Sequence, residues 1–70
     1  MRDPKRIRGL INRLATAWEV VPHLRLGQLL HIIFENMREE GQDPFYVEDE
    51  AMIAYIEKYV EKTTGVALHE

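Results

Sequence analysis

Residues 26–41, LGQLLHIIFENMREEG, decide the fold. Leu26, Leu29, Leu30, Ile33 and Met37 recur at steps of three and four residues, and Ile32 and Phe34 widen the stripe. That is the period of a helix with one buried face, not the two-residue alternation of a strand. Gly41 follows the last apolar position, where helices commonly end on a glycine in the left-handed conformation. The stretch predicts a helix over about 25–40. Its last turn, Arg38-Glu39-Glu40, sets two acids against the negative end of the helix dipole, which calls for a cationic neighbour.

Toward the N-terminus, Ile7, Leu10, Ile11, Leu14 and Trp18 trace one helical face. Asp3 is suited to cap that helix and Pro4 to occupy its first turn. Pro22 ends it, because proline disfavours helix at the residue before it. A helix over about 4–20 follows, joined to the next by a short link at His23 to Arg25. Toward the C-terminus, Met52, Tyr55, Ile56, Tyr59 and Val60 share a third face. Glu48, Asp49 and Glu50 stand where the positive end of that helix dipole favours acids, and Glu48 or Asp49 can cap it. This helix spans about 48–62, Thr63-Thr64-Gly65 breaks it, and Val66 to Glu70 reads as a tail. The expected fold is an all-α, compact three-helix domain over residues 1–62 with a C-terminal tail over 63–70.

Composition agrees with a folded chain: of 70 residues, 46% are hydrophobic and 30% charged. With no cysteine, disulfides and Cys-based zinc sites are excluded. No run approaches the ~20 apolar residues of a membrane span, and MRDPKRIRGL lacks the apolar core of a signal peptide. A cytoplasmic protein with no membrane contact is the expectation. The net charge of −3 conceals an asymmetry. Residues 1–25 hold six Lys/Arg and two Asp/Glu, whereas residues 26–70 hold three and ten. Such a split serves a charged partner, or it lets the two halves attract each other.

Four features occur in order: Arg2-Asp3-Pro4, the Trp18-to-Pro22 spacing, Leu24-Arg25-Leu26-Gly27-Gln28-Leu29-Leu30, and Asp43-Pro44-Phe45-Tyr46-Val47-Glu48-Asp49-Glu50. Together, over roughly residues 2–60, they resemble small bacterial and phage proteins related to the YihD-like family of unknown function. The resemblance implies a small, cytosolic, all-helical domain. It implies no activity, cofactor or catalytic residue.

The 43–50 segment has two readings. In one, Asp43-Pro44 makes a turn, Phe45 or Tyr46 folds back onto the core, Val47 staples the third helix and the acids satisfy its dipole. In the other, Phe45 and Tyr46 anchor a partner protein while Asp43, Glu48, Asp49 and Glu50 form a charged rim. Arg25 and Gln28, flanking Gly27 at the start of the second helix, would support that surface. Gly27 itself suits a close helix crossing. A homodimer through the second helix would bury Ile32 and Phe34.

The alternative reading is nucleic-acid binding by the basic cluster Arg2, Lys5, Arg6, Arg8 and Arg13. Against it, the third helix carries five acids and two lysines, which phosphates would repel. The same basic residues find equally good partners in Glu39, Glu40 or the Glu48–Glu50 run. No metal site is expected. Consecutive acids point in different directions on a helix, the calcium-loop pattern is missing, and His31 with Glu35 lacks further ligands. Nor is an enzyme: there is no Cys, no Ser, and no nucleophile–base pair, with His23 in a link and His69 in the tail. Trp18 is expected as a core anchor.

Overall fold

Asp3 and Pro4 start the first helix one turn earlier than regular helix geometry begins. The Asp3 carboxylate accepts the Lys5 N–H at 2.9 Å, and its carbonyl accepts the Arg6 N–H at 3.2 Å. Helix α1 then runs Arg6–Val20, slightly shorter than the spacing predicts. The computed structural model describes residues 2–68, so His69 and Glu70 of the expected tail lie outside the described residues. At the far end the Trp18 indole N–H donates to the Leu24 carbonyl at 2.8 Å, which ties the half-buried ring to the link that follows.

Helix α2 spans Leu26–Glu39. Gln28 reaches back to accept the Arg25 N–H at 2.8 Å, satisfying a donor that the helix start would otherwise leave open. Gly41, at φ 81°, closes the other end: its N–H donates to the Arg38 carbonyl, and the Gln42 N–H donates to that of Met37. This pair of bonds is the Schellman motif, and the left-handed residue it requires is most readily glycine. A short 3₁₀ turn at Pro44–Tyr46 leads to helix α3, Asp49–Thr64, which runs two residues beyond the expected end. Thr63 and Thr64 prolong it by donating their hydroxyls back to the Tyr59 and Val60 carbonyls.

Arg6 meets Asp49 and Arg13 meets Glu57, so α1 and α3 lie side by side and run in the same direction. Helix α2 returns between their ends. The fold is an all-α three-helix domain, and the described residues contain no strand. Ala17 and Val21, Leu29, Ile33 and Met37, and Ile53, Ile56 and Val60 form the buried core. Phe34 packs against it and Ile32 is half-buried, so neither lies bare on α2. Leu68 packs there too, its N–H donating to Glu61 at 2.7 Å, so the segment after Gly65 folds back.

Three expectations about packing need correction. Ile7 and Ile11 are 47% and 53% exposed, although they share the predicted apolar face of α1. The line of α1 that meets α3 passes through Arg6, Arg13 and Ala17, with Leu10 and Leu14 packed beside it, which leaves Ile7 and Ile11 partly outward. Leu26, in the first turn of α2, is exposed as well. Gly27 makes no close crossing: a side chain added there would meet open space.

Candidate functional site

The basic and acidic clusters of the sequence are largely one structure. Arg2 donates to Glu48 at 3.0 Å and lies 3.6 Å from Asp49. Arg6 pairs with Asp49 at 2.9 Å. Arg13 reaches both Glu50 and Glu57, gripping the latter with two bonds of 2.6 and 3.1 Å. Glu57 is buried, and a buried carboxylate requires such charge-assisted partners. The guanidinium of Arg13 is held charged even beyond the ordinary arginine range, first by its bond to Glu57 and then by Glu50. Cations at the start of α1 oppose the positive end of its own dipole, and the acids at the start of the parallel α3 offset them.

Lys5 and Arg8 are exposed and, among the described residues, form no ion pair within 4 Å. The basic cluster is thus divided. Arg2, Arg6 and Arg13 already hold carboxylates that a phosphate would have to displace. Glu39 and Glu40 instead share a cleft with Lys58, Lys62, Tyr55 and Tyr59. Burial, then the Glu40 carboxylate, pushes the Tyr55 hydroxyl above its usual value.

The aromatics of the 43–50 segment do not fold back. Phe45 is 83% exposed and Tyr46 78%, against the expectation that one of them caps the core. Asp43 explains why they stay out: its carboxylate accepts the Phe45 N–H at 3.0 Å, and its carbonyl accepts the Tyr46 N–H at 3.0 Å. These bonds close a tight turn at Pro44, and the chain turns inward only at Val47, which packs against the core. The two rings meet edge to face with centroids 4.9 Å apart. Glu48 caps α3 through backbone position alone, and its carbonyl takes the first helical N–H, that of Met52.

Arg25 and Gln28 are exposed at the start of α2, and among the described residues no hydrogen bond or ion pair joins them to the 43–50 segment. Glu35 pairs with Arg38 at 2.9 Å, and no three metal-ligating side chains converge among the described residues. No described helix is long and apolar enough to cross a membrane.

One surface was not foreseen. Ile7, Leu10 and Ile11 of α1 and Met52 and Ile53 of α3 line an open apolar groove with the Arg6–Asp49 pair at its edge. The available signal was that α1 carries more apolar residues than a helix flanked by arginines on its contact line can bury. No protein-family model, curated protein or solved structure matches the chain. The YihD-like resemblance therefore stands on the sequence features quoted for it.

Proposed function

We propose that this protein is a small cytoplasmic protein-interaction module, acting by binding and not by catalysis, with Phe45 and Tyr46 as its anchor. The observation that carries this reading is the exposure of two adjacent aromatics on a turn whose backbone is fixed by Asp43. Contiguous exposed apolar surface marks interaction sites, the two rings touch each other, and aromatics are enriched at the energetic centres of interfaces. A turn already closed by hydrogen bonds also loses little freedom when a partner arrives.

The surrounding charge suits a rim. Glu48 and Glu50 keep 72% and 74% of their side chains in solvent while pairing with Arg2 and Arg13. They remain available at the edge of a contact whose centre is aromatic. Arg25 and Gln28 have a local task in starting α2, which weakens their claim to the same surface.

Affinity capture from nuclease-treated host lysate, with the wild type beside the Phe45→Ala/Tyr46→Ala double variant, tests the reading. A protein retained by the first and lost by the second is the expected result. Retention that vanishes with nuclease, and with charge reversal of Lys5, Arg6 and Arg8, would replace it with nucleic-acid binding through α1.

A further inference from the structure

We infer that the chain pairs with a second copy of itself, the Phe45–Tyr46 knob of each copy seated in the Ile7–Ile11–Met52 groove of the other. This rests on the aromatic anchor proposed above and names its partner. The knob is 83% and 78% exposed and therefore does not occupy the groove of its own chain. The groove is open, with Ile7 and Ile11 about half in solvent and Leu10, Met52 and Ile53 beneath them. One chain thus presents both an unburied aromatic projection and an unfilled apolar recess.

Their placement allows reciprocity. Asp49 lines the groove and Tyr46 belongs to the knob, so three residues of backbone, at most about 11 Å, separate them. Two features this close on one molecule can each meet the other's counterpart across a two-fold axis, which is the isologous arrangement of most homodimers.

The area is also sufficient. An aromatic side chain buries about 150–250 Å², so the exposed parts of Phe45 and Tyr46 offer roughly 240–400 Å² per copy. With an equal area of groove covered at each of two contacts, complete burial removes at most about 1,000–1,600 Å² from water, which reaches the lower part of the ~1,200–2,000 Å² of specific stable interfaces. The Arg6–Asp49 pair stays at the edge, where it needs no desolvation.

Sedimentation equilibrium of the full chain from about 1 μM to about 1 mM provides the test, a range wide enough to catch a micromolar dimer. The wild type is expected to show a monomer–dimer equilibrium. Phe45→Ala/Tyr46→Ala and Ile11→Glu, each with unchanged helical circular dichroism, should weaken it at least about thirtyfold, as loss of a central anchor does. Ile7→Lys serves for the groove if Ile11→Glu fails to fold. Mixing the knob-deficient and groove-deficient chains should restore pairing above that of either alone, because one complete contact survives in the mixed dimer. A wild type that stays monomeric, a dimer indifferent to both variants, or a mixture no tighter than its components would each overturn the inference. If the wild type is monomeric yet the knob variant still loses a captured protein, self-pairing falls and the interaction reading stands. If mass and capture are both unmoved by the knob variant, both fall.

Discussion

Truncating the exposed aromatics should barely affect folding, and the size of that effect separates an anchor from a core cap. Phe45 leaves 17% of its surface buried and Tyr46 leaves 22%, the complements of their exposures. For side chains that bury about 150–250 Å² when enclosed, this is roughly 25–55 Å² each. At about 25 cal/mol per Å², Phe45→Ala and Tyr46→Ala each cost about 1 kcal/mol or less, since an extended unfolded reference overstates burial. Ile33, fully buried at the centre of α2, provides the contrast. Ile33→Ala removes hydrocarbon and leaves a cavity, at a cost of about 2–5 kcal/mol. Urea unfolding followed by circular dichroism, with m held equal across the variants, measures all three. A loss of about 2 kcal/mol or more at either aromatic, the cost of emptying a core position, would refute the reasoning and return the segment to a structural role.

The remaining predictions concern the backbone, the seam and the cleft. Gly9→Ala, at the end of the first turn of α1 with open space around it, should stabilise by up to about 1 kcal/mol, whereas Gly41→Ala at φ 81° should cost about 1–2 kcal/mol; the same urea titrations decide both. Arg2→Met should change stability by no more than about 1 kcal/mol because its pairs are exposed. Arg13→Met should lower the melting temperature clearly further, since it takes the two-bonded guanidinium from buried Glu57, and equal effects would contradict the ranking. Tyr55, raised above 10.0 in the fold, adds stability that is whole below that value and is lost as pH climbs through the higher folded value. Tyr55→Phe should therefore flatten the alkaline fall in urea midpoint, and Glu40→Gln should lower the phenol's titration only in part, because burial is the larger cause.

The helices were legible because their signals are local: apolar residues at three and four, proline and glycine at the ends, acids at the start of α3. The seam was half legible. Charge asymmetry left attraction between the halves as one of two readings, and the Glu48–Glu50 run was among the candidate partners of the basic cluster. Glu57 was counted only among acids that would repel phosphates, and its burial under Arg13 depends on a helix rotation that no single segment encodes. The same rotation misled the reading of Ile7 and Ile11, since periodicity defines a face but not how much of it a neighbour covers. At Phe45 and Tyr46 the sequence left two readings open. What decides between them is the hydrogen-bonded geometry of Asp43, which ends the turn before the rings can reach the core.

The parallel pairing of α1 and α3 also sets an order of events during synthesis. Arg13 and Glu57 are 44 residues apart, so α1 cannot acquire its principal partner until most of the described chain has been made. At about 5–20 residues per second, that delay is roughly 2–9 s, far longer than helix formation itself. Throughout it, the face of α1 that α3 covers lacks that cover. A nascent chain halted before Glu48 would thus be helical in parts, uncovered along α1 and without any partner of its seam.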